Sequence, residues 1–273
     1  MNIGLDSNKI YNCDYRRKIE ELKDKSVDMV LTDIPYLLNK ESNLKGIKNY
    51  NKKGNSSSWE DPNKLSWDDD FDLENYIYHC CRILKDSASI IVWSSWQQLG
   101  AVDELIKKNL GELKGEPRVG VWRKSNPNVT NMDKMAIQPY EFFVWNRKGS
   151  NVIFNNQNGK YIDKSEVRQH PELHYYENSS TSNKKLEGKH PTSKPESLFR
   201  WLILTYTDEI NKDGENSIIF DGCMGGGTTA VAARKEGRDF IGFEKEEEYC
   251  KIAKSRLEKL DKNSIYKSIV KIE

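Results

Sequence analysis

The sequence predicts an α/β fold: a mostly parallel sheet with helices on both faces. Two observations carry this. Short β-branched and aromatic runs alternate with stretches whose apolar residues recur at helical spacing. One of those runs also ends in a glycine-rich turn that opens directly into a helix, the connection found in doubly wound sheets. A chain of 273 residues is long enough for one large domain with its own core and a small appendage.

Six runs read as strands: 27–32, 88–93, 118–122, 141–145, 217–221 and 239–243. Between them lie amphipathic helices. Leu73, Tyr76, Ile77, Cys80 and Leu84 fall on one face of the first. The second starts near Pro195 and carries Leu198, Trp201, Leu202 and Ile210. The third follows Gly227 and ends near Gly237, a residue suited to a C-terminal cap. The last carries Tyr249, Ala253, Arg256, Leu257 and Leu260. Two polar stretches, 40–66 and 146–189, break the rhythm. The first has four lysines and no acid between Lys45 and Lys53, which marks it as a basic segment. Long irregular segments inside a compact domain are usually functional or disordered.

Composition excludes several classes. Lys plus Arg is 43 against 42 for Asp plus Glu, so the net charge of +1 neither requires nor forbids a nucleic-acid partner. Charged residues make up 31% and mean hydropathy is -0.81, so the chain reads as polar and soluble. Its 7 Trp and 13 Tyr argue against global disorder. Five cysteines, an odd number with no CxxC pair, predict reduced thiols in a cytoplasmic protein, with no disulfide framework and no metal site. The N-terminus lacks a basic start followed by an apolar run, and the longest apolar runs are too short to span a bilayer, so no membrane partner is expected.

The run 218–221 leads into Gly222-Cys223-Met224-Gly225-Gly226-Gly227-Thr228-Thr229 and then a helix. Such a turn lets backbone approach a ligand at a helix N-terminus. The next strand ends in Glu244, an acid placed to bind ribose hydroxyls. Turn and acid together point to a nucleoside-containing cofactor; the turn alone also fits a tight strand–helix connection. No GK[ST] follows, which excludes a nucleoside-triphosphate loop.

The first strand runs into Asp33-Ile34-Pro35-Tyr36. Ligands in doubly wound sheets sit outside the carboxyl ends of strands. There these residues would present a carboxylate, backbone carbonyls and an aromatic ring. An aromatic amine is a poor nucleophile because its lone pair is delocalised. A carboxylate and a carbonyl that accept its two N–H groups favour a pyramidal nitrogen and stabilise the positive charge that develops there. A tyrosine ring offers a face on which an extruded base can stack, worth roughly 1–3 kcal/mol, against an extrusion cost on the order of a few kcal/mol. In isolation the four residues also fit an ordinary strand-to-loop turn.

Together these segments resemble the beta group of S-adenosylmethionine-dependent DNA amino-methyltransferases, in which the catalytic Asp-Pro-Pro-Tyr segment precedes the glycine motif. The resemblance runs from about residue 10 to 257. Asn12-Cys13-Asp14 with Lys25-Ser26-Val27-Asp28 matches the lead-in to the catalytic strand, 81–85 and 89–92 match the central helix and next strand, and Trp122-Arg123-Lys124-Ser125-Asn126-Pro127 with the later Glu141 and Lys148 matches a further segment. His190-Pro191-Thr192-Ser193-Lys194-Pro195 matches the segment that touches the methionine end of the cofactor.

The resemblance implies a Rossmann-like methyltransferase fold in the beta order, with S-adenosyl-L-methionine as cofactor and double-stranded DNA as partner. Asp33, Ile34, Pro35 and Tyr36 become the catalytic residues. Asp14, Thr192, Lys194, Asp221, Gly222, Gly225, Gly227, Thr228 and Glu244 become cofactor ligands, with Asp14 at the adenine and Thr192 and Lys194 at the carboxylate. The catalytic domain then comprises 1–39, 67–145 and 190–262, and 263–273 is a tail. The segment 40–66 becomes a mobile loop that meets phosphates through Lys45, Lys48, Lys52 and Lys53, although it also reads as a solvated insertion. The segment 146–189, with Arg168, becomes a small target-recognition region. Two departures stand out. Ile34 replaces the first proline of the corner, which predicts a less rigid turn, and Cys223 stands where Phe is usual.

The expected function is transfer of methyl to N6 of adenine in a short DNA sequence, by base flipping. Asp at position 33 favours adenine, since the cytosine-N4 relatives more often carry Ser. Cytosine-N4 methylation, action on RNA or protein, and an inert DNA-binding regulator remain alternatives. A homodimer and a cognate restriction endonuclease remain open as partners.

Overall fold

Seven strands form one sheet in the order β1-β7-β6-β2-β3-β5-β4. They are β1 (Lys9–Asn12), β2 (Val27–Asp33), β3 (Leu84–Ser94), β4 (Arg118–Arg123), β5 (Tyr140–Arg147), β6 (Ile218–Asp221) and β7 (Asp239–Glu244). The structure is a computed structural model that describes residues 3–36, 71–110, 117–124, 139–150, 153–155 and 194–263. Among the described strands, only β5 runs against its neighbours. The helices are α1 (Leu73–Ile83), α2 (Leu99–Leu110), α3 (Glu196–Tyr206), α4 (Thr228–Lys235) and α5 (Glu247–Asn263).

Period-2 alternation along the strands covers both faces. Val30, Ile90, Val92, Phe220 and Phe243 point into one core with Tyr76, Ile77, Val102 and Ile106 of α1 and α2. Their neighbours Met29, Leu31, Ile91, Trp93 and Ile219 point into a second core, with Leu198, Phe199 and Leu202 of α3, Ala230 of α4 and Ala253 of α5. Each fully buried aliphatic or aromatic side chain stabilises this arrangement by about 1.5–3 kcal/mol. The predicted α/β class, with helices on both faces of a mostly parallel sheet, is what the chain forms.

Several boundaries differ from the sequence pattern. Leu84 already belongs to β3, which follows α1 without a loop. The strand then shifts register between Val27 and Met29 of its partner, near Ser87 at φ 69°. Leu84 is buried whether helical or extended, so periodicity alone does not separate the two. Helix α3 stops at Tyr206, short of Ile210. The hydroxyls of Thr205 and Thr207 donate to the carbonyls of Trp201 and Ile203, and Thr207 turns extended. Asn146 and Arg147, grouped by the sequence reading with the recognition region, are strand residues paired with Ile90 and Ser89. The sequence pattern marks neither β1 nor α2. β1 is a four-residue edge strand, and α2 has only Val102 and Ile106 fully buried. The stretches 40–66, 156–189 and 264–273 lie outside the described residues.

The order of the sheet creates one crevice. β6 crosses through α4 to β7 on one side, while β2 crosses to β3 on the other. The carboxyl ends of β6 and β2 therefore flank the point where the winding reverses, the position at which such sheets bind ligands. Tyr76 of α1 bridges the two. Its hydroxyl shares a hydrogen bond with Thr32 Oγ1 at 2.7 Å and accepts one from the Gly222 amide at 3.0 Å. Tyr76→Phe leaves that buried amide without an acceptor, at a cost of about 1–3 kcal/mol. Urea denaturation should show a lower midpoint at unchanged slope; an unchanged midpoint would show that the bridge contributes nothing.

Candidate functional site

β2 delivers Asp33-Ile34-Pro35-Tyr36 to the edge of the sheet. Ile34 shows how the corner holds its shape without the first proline. Its amide donates to the Trp93 carbonyl at 3.1 Å, a bond proline cannot make, and its side chain is 2% exposed within the core. The Pro35 carbonyl accepts from Gln98 Nε2 at 3.0 Å, and Gln98 Oε1 in turn accepts from the Ser95 amide and hydroxyl. The expected loss of rigidity is thus offset by a ladder hydrogen bond and a side-chain clamp.

Lys194, immediately ahead of α3, enters this corner. Its ammonium donates to Asp33 Oδ2 at 2.5 Å and to the Tyr36 hydroxyl at 3.1 Å, and lies 3.0 Å from Glu141 Oε2. It also sits over the rings of Tyr36 and Trp93, 5.3 and 5.5 Å from their centroids. Glu141, at the start of β5, pairs on its other side with Lys124, which follows β4. Charges thus alternate along the edge: Asp33, Lys194, Glu141, Lys124. Desolvation alone would lower the Lys194 pKa, but the carboxylates of Asp33 and Glu141 hold it well above the usual lysine range. Desolvation raises Asp33, and the Lys194 charge opposes the rise. Asp33 Oδ1 is buried and has no hydrogen-bond partner among the described residues.

The glycine turn sits across the crevice. Asp221, 2% exposed, holds it: Oδ1 accepts from the Cys223 amide at 3.0 Å and Oδ2 from Thr229 Oγ1 at 2.5 Å. Gly222 is required by close approach, since a Cβ there would lie 2.6 Å from the Tyr76 ring. Gly227 caps α4 at φ 80°, where a Cβ would lie 2.6 Å from that of Ala253. Arg256 of α5 donates to the Gly226 carbonyl at 2.5 Å and to Thr228 Oγ1 at 3.3 Å. Glu244, at the tip of β7, accepts from the Gly225 amide at 2.6 Å and the Glu246 amide at 2.8 Å. Burial pushes its pKa up to about 7, against those two amides, and pushes Asp221 up to about 6.

Asp14 follows β1, whose Asn12 pairs with Glu244 and donates to its carbonyl. Its carboxylate forks onto Arg16, at 2.9 and 2.8 Å, and that bond holds its pKa below the usual range. Asp14, Glu244, Asp221 and Asp33 therefore follow four adjacent strands along one edge. With strands about 4.8 Å apart, Glu244 and Asp33 stand roughly 10 Å apart along the sheet. Of the sequence-selected residues, Asp33–Tyr36, Asp14, Lys194, Asp221, Gly222, Gly225, Gly227, Thr228 and Glu244 gather here. Lys194, selected for a cofactor carboxylate, lies against Asp33. Thr192, Lys45, Lys48, Lys52, Lys53 and Arg168 lie outside the described residues. Gln98 and Arg256 carry no motif. Tyr76 reads as core on the apolar face of α1, and Glu141 enters only through the family resemblance.

A family model described as DNA methylase, for the N6 and N4 enzymes, matches residues 27–255. The chain belongs to this family. These DNA amino-methyltransferases modify either adenine N6 or cytosine N4. Among its relatives, type II methyltransferase M2.LlaDCHI of Lactococcus lactis subsp. cremoris is 28% identical over 92% of this chain and 89% of its own length. Type II methyltransferase M.HinfI of Haemophilus influenzae is 26% identical over 96% of this chain and 71% of its own. The fold of this DNA methylase is shared with M1.HpyAVI, crystallised as a SAM complex. The TM-score is 0.62 at 24% identity, covering 91% of this chain and 98% of that one. It is shared equally with the cytosine-N4-specific PvuII DNA methyltransferase, at TM-score 0.62 and 17% identity, covering 97% and 90%.

The buried carboxylates set a pH dependence. Asp221 and Glu244 have folded-state pKa values above those of free carboxylates. The stability each contributes is therefore fully present below the ordinary carboxylate range and lost as pH rises through about 6 and about 7. His79, whose pKa burial lowers, works the other way on acidification. The ligand-free methylase should melt at a higher temperature near pH 5.5 than near pH 8, with Glu244 contributing on the order of 2 kcal/mol of the difference. Glu244→Gln should flatten the curve between those limits; an equally steep curve in the variant would assign the dependence elsewhere.

Proposed function

We propose that this DNA methylase transfers a methyl group from S-adenosyl-L-methionine to N6 of adenine in double-stranded DNA, at a short site and on an extruded base. The observation that carries the reading is Asp33. It stands at the switch point across from the glycine turn, with one oxygen fixed by Lys194 and the other, Oδ1, buried and unclaimed among the described residues.

The residues suit the cofactor. Glu244 offers an acceptor carboxylate for ribose hydroxyls, and Asp14 one for the adenine amine. Asp221 and Asp33 make the crevice between them negative, which favours a sulfonium cation. When bound, the cofactor supplies an electrophilic methyl carbon. Asp33 Oδ1 and the Ile34 carbonyl accept the two N–H groups of the amine and free its lone pair. Tyr36 stacks on the base. Methyl transfer, with loss of the sulfonium's methyl, would leave the nitrogen positive, and Asp33 Oδ1 would take its surplus proton and pass it to solvent.

Asp33 supports adenine over cytosine through the family pattern at that position. The likeness to the cytosine-N4-specific PvuII enzyme keeps cytosine as the second reading. Mass analysis of nucleosides from methylated duplex decides: N6-methyladenine is expected, and N4-methylcytosine alone would overturn the adenine assignment.

Asp33→Ala should retain cofactor binding while methyl transfer falls about 100- to 1,000-fold. Undiminished turnover would reject the role of Asp33.

Cofactor affinity should also depend on pH. Ribose hydroxyls bind best to an ionised Glu244, so affinity should weaken as pH falls through about 7. Glu244→Ala should bind more weakly and without that dependence, as read by calorimetry; unchanged affinity would remove Glu244 from the cofactor site.

A further inference from the structure

We propose that Lys194, held by Glu141, is a positioning residue for methyl transfer, keeping Asp33 ionised and turning its free oxygen Oδ1 toward the amine. The inference rests on the reading that Asp33 polarises that amine.

The geometry leaves Asp33 no other cation among the described residues. Lys194 takes Oδ2 at 2.5 Å and leaves Oδ1 open. The groups facing Asp33 are Lys194 ahead of α3, Tyr36 on its own loop, Glu141 on β5 and, on β6, Asp221. Two of these are carboxylates, and Asp33 Oδ1 is buried, so an unassisted Asp33 would take up a proton more readily. A neutral acid would accept the amine hydrogen poorly and would not balance the charge growing on nitrogen. One adjacent ammonium opposes this.

That ammonium is itself placed. The Lys194 side chain is 3% exposed, lies over the Trp93 and Tyr36 rings, and has Glu141 on its far side. Glu141 is in turn anchored by Lys124. The two carboxylates and two ammoniums cancel, so the row carries no net charge that would repel a neutral base. Lys194 enters the corner that would hold the base, against Asp33 and Tyr36. Its contact with Asp33 assigns it a task at the acceptor amine, not at the cofactor carboxylate.

The test compares single-turnover methyl transfer against pH for wild type, Lys194→Gln, Lys194→Arg and Glu141→Gln, with cofactor affinity measured in parallel by calorimetry. Lys194→Gln should slow transfer about 100-fold and move the acidic limb of the profile to higher pH. Its affinity for S-adenosylmethionine should stay within about threefold. Lys194→Arg should restore part of the rate and return the limb toward wild type. Glu141→Gln should also slow transfer but move the limb to lower pH, because it removes a negative charge facing Asp33. These opposite signs separate positioning from general damage to the fold.

An unmoved limb in Lys194→Gln would overturn the proposal, and a loss of cofactor affinity of about tenfold or more beside it would return Lys194 to the cofactor. Should Lys194→Gln not fold, a Glu141→Gln limb that stays put or rises overturns the proposal equally. Undiminished turnover in Asp33→Ala would sink the reading beneath it, whereas an active wild type with unmoved limbs sinks this inference alone.

Discussion

β2 and β6 pair in register through Met29 with Ile219 and Val30 with Phe220, and beyond those pairs they part, β2 staying with β3 and β6 with β7. Everything at the site follows from that parting. It opens a crevice between the glycine turn and the Asp33 corner, and parallel strands on either side deliver their carboxyl ends to the same edge. Thr32 and Gly222, one from each wall, meet on the hydroxyl of Tyr76, so one buried phenol ties the two walls together. A sheet wound in one direction throughout would place helices over both ends and leave no such gap.

What the sequence shows and what it hides divide along contact distance. β6, the glycine turn and β7 are legible because their demands are local: a β-branched run, glycines where backbone must pass close, an acid at a strand tip. The corner at 33–36 is legible for the same reason. Lys194 is not. Its partner Asp33 lies 161 positions away, and nothing in the local pattern tells an ammonium bound to a cofactor from one bound to a side chain. Tyr76 is hidden differently. Its ring obeys helical periodicity and reads as packing, while its hydroxyl acts 146 positions away. β1 and α2 escape because an edge strand of four residues and a helix with two fully buried side chains carry little pattern. Ile34 teaches the converse: a departure from the family corner that reads as loosening is compensated by a backbone donor that proline lacks.

The site concentrates charge where the core would reject it. Asp221, Glu244 and Asp33 all sit where burial raises their pKa, and Lys194 is nearly enclosed. Burying paired charges contributes little net stability in general, because desolvation offsets attraction. Such an arrangement makes sense as preorganisation: the dipoles and charges stand in place before a cationic cofactor and a neutral base arrive. The backbone amides of Cys223, Gly225 and Glu246 hold two of the carboxylates meanwhile. Fold and chemistry share the same residues here.

The most direct measurement is a crystal structure of the protein with duplex DNA and an unreactive analogue of the cofactor. The account predicts an extruded base on Tyr36 with its amine in hydrogen-bond reach of Asp33 Oδ1 and the Ile34 carbonyl, and the analogue's transferable end directed at that amine from the glycine turn. A base seated elsewhere, or an analogue whose reactive end faces away from Asp33, would contradict it.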